Sequence, residues 1–412
     1  MVDAADRNVF VLGAGFSAHA GAPLVRDFLD KSRELMDNPS SGLEPFERAH
    51  FSEVFRFRRE MAQAREKVMI DLDNIEELFG LVEMSQRLGD RTRETRNSTV
   101  YMIAKTLELA TRAPGKGRYH VRFDVKPEFM GKFASVNQSN VLQQNPGYGP
   151  SVHSGDIYDY FACLASGRFD NPELQSARKN AFITFNYDLV LDHALQRLNF
   201  QPDYGLDPSL TRTFELPDAR AQCVLLKLHG SSNWGVCGNC LGEIVVLQGK
   251  ITDSPRQFQS ERCGKCGKQG FQPLLIPPSW DKSEYQGIMT RVWASAVAEL
   301  RSATRVCIIG YSMPQSDLFF KYLMTLALSQ NHGLYKLLVV DKPKSPQASS
   351  EEEMSPAPAE LEGRYRDLLD PLFRERRFSF YPHGFEVFIG SGNHACVALG
   401  RGEMLGGNIG YF

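Results

Sequence analysis

Two Cys-x-x-Cys pairs, Cys237/Cys240 and Cys263/Cys266, are the residues of this 412-residue chain whose spacing speaks most directly of chemistry. Four thiolates give a zinc ion a closed tetrahedral shell, which leaves no position for substrate, so the metal expected here holds structure. Gly238, Gly264 and Gly267 stand where the backbone must bend around it. Just before the first pair, in KLHGSSNWGVCGNC, His229 ends an apolar run. An imidazole titrates near neutrality and can take a proton as general base. A core histidine bonded to backbone is the bland reading of the same pattern.

Other groups share that position at the end of an apolar run. Gly13-Ala14-Gly15-Phe16-Ser17 follows NVFVL. Its glycines permit a sharp turn and a close approach to a pyrophosphate, the following helix start offers N–H groups, and Ser17 offers a hydroxyl. The third glycine of the usual fingerprint is missing, and an ordinary strand–helix turn has the same pattern. Asn186 and Asp188, in TFNYD, follow AFIT. A carboxamide donates and accepts at once, which suits a ribose hydroxyl or an attacking water; turns and helix caps favour the same residues. Gly310 and Ser312 follow RVCII, and Asp341 follows LLVV, where an acid can hold a ribose hydroxyl.

The elements that must position these groups are short and continuously apolar: 8–12, 181–184, 224–227, 305–309 and 337–340. Separated by helical or irregular stretches, they predict a parallel sheet covered on both faces. The expected fold class is α/β: a Rossmann-like doubly wound parallel sheet with a helical insertion and a small zinc-ribbon module. The expected body spans residues 1–345, with the insertion over about 30–178 and the zinc module over about 236–272. A linker and C-terminal extension, 346–412, follow. Within the insertion, Asp71 or Asp73 is expected to cap a helix carrying Ile75, Leu78, Phe79 and Val82, and 99–110 reads as a second helix. Residues 131–150 read as a loop, 343–360 as a mobile linker, and FEVFI at 385–389 as a strand.

Composition excludes some classes. A net charge of −2 gives no field that recruits nucleic acid, and Arg56–Arg59 and Arg87–Arg96 alternate with acids as solvated faces do. No direct sequence-specific nucleic-acid binding is expected. No run approaches the ~18 apolar residues of a membrane span, and no signal-peptide pattern precedes Val9, so a cytoplasmic protein is expected. There, eight cysteines do not imply a disulfide framework. His19, His193 and His394, and Trp234 and Trp280, read as structural or surface groups.

In order along residues 8–345, these motifs resemble the sirtuin superfamily. GAGFSAHAGAP is similar to its opening Gly-Ala-Gly-x-Ser loop, TFNYD to its Thr-Gln-Asn-Ile-Asp motif, LHGS to its His-Gly motif, the four cysteines to its zinc module, and IIGYS to its Gly-Thr-Ser loop. Two departures stand out. Deacylating sirtuins follow the zinc module with a Val-Phe-Phe-Gly-Glu-like stretch that clamps an acyl-lysine peptide; this chain has LLIPPSW, 274–280, whose prolines remove backbone donors. PLVRDF also stands in place of the family's Asp-Phe-Arg run. The region with DNIEELF and the GYSMPQSD loop resemble divergent sirtuin-like proteins of bacterial antiphage defence.

That resemblance implies an NAD hydrolase, with NAD as substrate and zinc as structural metal. Asn186, His229 and Asp188 would be catalytic, and Gly13, Ala14, Gly15, Ser17, Gly310, Ser312 and Asp341 would bind NAD. It further implies a homo-oligomer, with a HerA-type partner ATPase or a phage-derived trigger. An NAD-dependent protein deacylase and a non-catalytic NAD or ADP-ribose sensor are the other classes it admits.

Overall fold

The computed structural model describes residues 7–64, 67–89, 93–111, 120–125, 142–144, 152–166, 176–213, 221–247, 254–277, 285–313, 318–342, 358–390 and 405–411. The strands are β1 (Asn8–Leu12), β2 (His120–Val125), β3 (Leu142–Gln144), β4 (Val152–Asp156), β5 (Ser176–Thr184), β6 (Phe200–Asp203), β7 (Thr211–Thr213) and β8 (Ala221–Lys227). Next come β9 (Gly230–Cys237), β10 (Ile244–Val246), β11 (Phe271–Leu275), β12 (Arg305–Ile309), β13 (Lys336–Val340), β14 (Phe378–Tyr381) and β15 (Leu405–Tyr411).

Seven strands form one sheet in the order β14-β13-β12-β1-β5-β8-β6. Every pairing in it is parallel. Successive side chains of a strand point to opposite faces. Val9, Phe10, Val11 and Leu12 are all buried, so both faces of the sheet are covered at β1. On one face Phe10 meets Phe161 of the helix Ile157–Ser166 edge-on at 5.5 Å and stacks on Phe182 of β5 at 5.4 Å. The helix Gln286–Ser302 reaches β8 through Trp293, whose indole N–H donates to the Leu228 carbonyl at 2.9 Å.

From β1 the chain passes to β5, then to the edge strand β6 and back to β8 between them, before it crosses to β12, β13 and β14 on the other side. The order reverses between β1 and β12. In open parallel sheets such a reversal opens a crevice at the carboxyl ends of the strands, where ligands bind.

Between β1 and β5 the helices Phe28–Asp37, Pro45–Met61, Ile75–Arg87 and Arg93–Thr111 pack on one another around Phe51, Phe57, Leu78 and Phe79. Leu275 of β11 and Tyr187 join that cluster. The insertion is not helical throughout: β2, β3 and β4 form an antiparallel sheet with β15. The helix at 75 is capped by Asn74, not by Asp71 or Asp73, because the Asn74 carboxamide oxygen accepts from the Glu76 and Glu77 N–H groups. Asp71 instead accepts from the Asp73 N–H.

After residue 345 the expected strand 385–389 is the helix Phe385–Gly390. Phe385, Phe388 and Ile389 are buried at i, i+3 and i+4 while Val387 is exposed, a helical period in a run too short to show it plainly. Phe385 packs on Phe16 at 4.6 Å, and β14 supplies the seventh strand. Residues 343–357 and most of 131–150 lie outside the described residues, as do Trp280 and His394. Among the described residues no helix is long and apolar enough to cross a membrane.

Candidate active site and zinc module

Each motif group stands at the carboxyl end of a strand of the parallel sheet. Gly13 follows β1, Asn186 and Asp188 follow β5, His229 follows β8, Gly310 and Ser312 follow β12, and Asp341 follows β13.

The turns after β1 and β12 are locked together through backbone. The Gly13 N–H donates to the Ile309 carbonyl at 3.0 Å and the Gly15 N–H to the Gly310 carbonyl at 2.8 Å. Gly310 has φ +64°, and a Cβ there would lie 2.2 Å from the Phe16 nitrogen, so only glycine fits. The helix after Gly13 is brief, Ala14–Ser17, and the Phe16 N–H donates to the Gly13 carbonyl at 3.0 Å. These glycines therefore serve the contact between two turns.

Around the β5 end the side chains form a connected group. The Asn186 carboxamide nitrogen donates to the Gly13 carbonyl at 2.8 Å and to the Ser17 hydroxyl at 3.1 Å. That fixes the amide and leaves its oxygen as the acceptor to offer outward. Ser17 is buried and also bonds the Asp188 carboxyl, so its hydroxyl lies between Asn186 and Asp188. Burial raises the Asp188 carboxyl above the ordinary carboxylate range; the nearby Lys227 ammonium, the Val190 N–H and Ser17 pull it partly back.

His229 is buried at the end of β8, with its ring edge-on to Phe185 at 5.3 Å and tilted against Tyr187 at 6.3 Å. Phe185 in turn stacks on Tyr311 at 4.6 Å, so aromatic contacts run from β8 across β5 to the β12 turn. Gly230, φ +86°, carries the chain away at once: a Cβ there would meet the Leu274 carbonyl oxygen at 2.0 Å. The histidine thus stands close to the cysteines in sequence because the sheet ends and the zinc module begins at this glycine.

Ser312 and Asp341 stand on the far side of β1. The Ser312 carbonyl accepts from Arg364 at 3.3 Å, and the Tyr311 carbonyl accepts from the Tyr365 hydroxyl. Among the described residues the Asp341 carboxyl accepts one bond, from the Lys342 N–H to Oδ1 at 2.8 Å, and burial pushes it up to about 7.

Beyond the crevice β11, β9, β10 and β7 form the sheet of the zinc module. The four cysteine sulfurs lie within 4.8 Å of one another, with Cys237–Cys266 and Cys240–Cys263 both at 3.7 Å. Tetrahedral zinc with Zn–S of ~2.3 Å places its sulfurs ~3.8 Å apart, so the four residues fit the metal. The Gly242 and Lys265 N–H groups donate to Cys240 and Cys263 sulfur at 3.4 and 3.3 Å, as outer-shell bonds to thiolates do.

The module also holds the helices. Glu47, fully buried, accepts from Arg256 at 2.7 and 3.1 Å and from Tyr101 at 2.8 Å, with Lys105 at 3.2 Å. Burial alone would raise this carboxyl; bonds from Arg256, the Glu44 N–H and Tyr101, with Lys105 nearby, bring it down to about 2.

Sequence reasoning passed over Lys227, Asp192, Tyr204 and Asn233, which are buried and bonded to one another beside these loops. One signal was readable: a lysine inside the apolar run VLLKLHG demands a buried partner.

Residues 180–359 match the family model described as a SIR2-like domain. No curated protein matches the chain. Among solved structures, SIR2 in complex with the inhibitor EX-527, 2'-O-acetyl-ADP-ribose and deacetylated p53-peptide is similar at 11% identity and TM-score 0.35, over 96% of this chain and 94% of that one. Sir2 bound to acetylated peptide is similar at 12% identity and TM-score 0.35, over 96% and 94%. The Sir2–p53 peptide–NAD+ structure is similar at 12% identity and TM-score 0.31, over 88% and 91%. Residues 180–359 of this chain thus carry a SIR2-like domain.

Proposed function

We propose that this protein hydrolyses NAD to nicotinamide and ADP-ribose in the crevice at the carboxyl ends of β1, β5, β8, β12 and β13. The SIR2-like domain supports an NAD-dependent enzyme. The observation that carries the finer reading is that Asn186 and Asp188 follow β5 and His229 follows its paired neighbour β8, beside the turn where the strand order reverses. In this reading the adenosine half lies toward Ser312 and Asp341. The pyrophosphate lies at the Gly13–Gly15 turn, and the nicotinamide ribose lies between Asn186 and His229. As the C1'–N bond breaks, its electron pair returns to the nicotinamide ring. The ribose passes through an oxocarbenium-like state, and water adds to C1'. The Asn186 carboxamide oxygen orients that water or a ribose hydroxyl, His229 takes the proton that water releases, and Asp188 holds the loop through Ser17.

Hydrolysis is favoured over acyl transfer by the stretch after the zinc module. The Ile276 N–H donates to the His229 carbonyl at 2.9 Å, and the Ile276 carbonyl accepts from the Tyr187 hydroxyl at 2.7 Å. Both main-chain groups of that residue are satisfied within the chain, and Pro277 follows. A peptide adding there as a strand finds no free main-chain donor at Ile276 or Pro277. A role in antiphage defence, a homo-oligomeric state and a HerA-type partner belong to this proposal through the motif resemblance alone.

A nicotinamide time course with purified protein and NAD, with and without an acyl-lysine peptide, tests the assignment. Release without peptide is the expected result. Release only with peptide would make the protein a deacylase, and ADP-ribose binding without any release would make it a sensor; either overturns the proposal.

A further inference from the structure

Lys227 is 1% exposed, two residues before His229 on β8, and no step above uses it. Its ammonium donates to the main-chain carbonyl of Asp188 at 2.6 Å and to Asp192 Oδ2 at 3.0 Å. Asp192 Oδ1 accepts from the Tyr204 hydroxyl at 2.6 Å, and the Tyr204 oxygen accepts from the Asn233 carboxamide at 3.3 Å. Asn233 Oδ1 accepts from the Ser231 hydroxyl at 2.6 Å, and the Asn233 nitrogen also donates to the Leu247 carbonyl at 2.8 Å. A separate main-chain bond, Ser232 N–H to the Tyr187 carbonyl at 2.9 Å, closes the circuit.

Every member is buried, and each bond joins a donor to an acceptor. The circuit starts at the backbone of Asp188 and ends at Ser231, two residues beyond His229. It therefore spans the two loops that carry the candidate catalytic side chains. Neither a core nor a turn needs it: apolar residues of similar volume fill a core as well as a buried ion pair does, and often better. What a satisfied buried network supplies is one fixed arrangement of the groups it joins.

We infer that Lys227, Asp192, Tyr204, Asn233 and Ser231 are positioning residues, which hold the Asn186–Asp188 loop and the His229 loop at the separation that the reaction requires. The inference rests on the NAD-cleaving reading for its link to catalysis. The network itself stands on the distances alone.

Tyr204→Phe removes the hydroxyl that bridges Asp192 and Asn233 and keeps the ring, which packs edge-on to Trp234 at 5.2 Å. Lys227→Met combined with Asp192→Asn removes the buried ion pair as a unit, and also takes the Lys227 ammonium from beside Asp188, whose carboxyl burial already raises. Hydrogen exchange in peptides covering 185–189 and 228–232 is expected to rise about tenfold in both variants, with the zinc module and the helix Arg93–Thr111 exchanging as in the wild type. The kcat for nicotinamide release is expected to fall about tenfold, with the KM for NAD within about twofold. Unchanged exchange in the two loops overturns the network, and a rise throughout the molecule reduces it to a structural element. A local rise with wild-type kcat removes its part in catalysis. A wild-type protein that never releases nicotinamide fails the functional reading instead, while the exchange pattern still decides the network.

Discussion

The two halves of the crevice are built from different materials. On the β12–β13 side the contacts are made to backbone: glycine turns touch, Arg364 and Tyr365 donate to main-chain carbonyls, and among the described residues the Asp341 carboxyl has a single main-chain bond. On the β5–β8 side the contacts run through side chains, with Asn186, Ser17 and Asp188 bonded in series and Lys227, Asp192 and Tyr204 continuing from the Asp188 main-chain carbonyl. A group with bonding capacity to spare is one a ligand can complete. A group whose bonds are all made is one that stays where it is when charge moves. The first half therefore suits recognition and the second suits chemistry, and the two should fail in different ways.

The largest effects belong to the second half. His229→Ala and Asn186→Ala should each lower kcat for nicotinamide release about a hundredfold or more, since general-base help alone is worth about 10²–10⁴. Thermal unfolding and zinc content, measured beside the kinetics, should stay at wild-type values. If the loss falls on KM instead, the division between halves is wrong. Next is the shared turn. In Gly310→Ala the methyl group has no room against Phe16 and the backbone conformation is strained. Soluble yield or Tm should drop, and NAD affinity should fall further than the drop in stability explains, as read by calorimetric titration of the folded fraction.

Asp341→Ala should act on binding, weakening NAD by about 1–3 kcal/mol with kcat nearly kept; a kcat effect as large as that of His229→Ala would merge the two halves. The smallest effect sharpens the same residue. A carboxyl held up to about 7 by burial binds a proton in the folded chain that the unfolded chain has lost. Its contribution to stability therefore falls as pH rises from the ordinary carboxylate range to about 7. A ribose hydroxyl bonds a carboxylate better than a carboxylic acid, so the KM for NAD should improve about fivefold between pH 6 and 8. Asp341→Asn should flatten that profile, and a profile unchanged in the variant would exclude Asp341 from the ligand.

Much of this arrangement was legible in the sequence because strand ends announce themselves. NVFVL and RVCII match β1 and β12 residue for residue, and the polar motif after each apolar run falls where a parallel sheet puts its crevice. The four cysteines were legible because metal ligands must come in fixed spacings. What stayed hidden depends on partners far apart in the chain. Lys227 and Asp192 are separated by 35 residues and Asn233 and Tyr204 by 29, and none of the four has a local pattern that names its partner. The FEVFI run was too short for its helical period to outweigh its apolar composition, and β14, the neighbouring strand, was not foreseen. The contact of the Gly13–Gly15 turn with Gly310 was equally hidden, because the two turns lie far apart in the chain.

The pairing of β1 has a consequence for how the molecule comes into being. Asn8, near the start of the chain, bonds Asn180 across 172 residues and Arg305 across 297. At roughly 5–20 residues per second, the ribosome adds the second partner on the order of 15–60 s after β1 emerges. Until then the Gly13 turn has no Gly310 to rest on, and Phe16 has no Phe385. The crevice cannot form in a chain that stops before β12; whatever activity it carries waits for strands made long after β1.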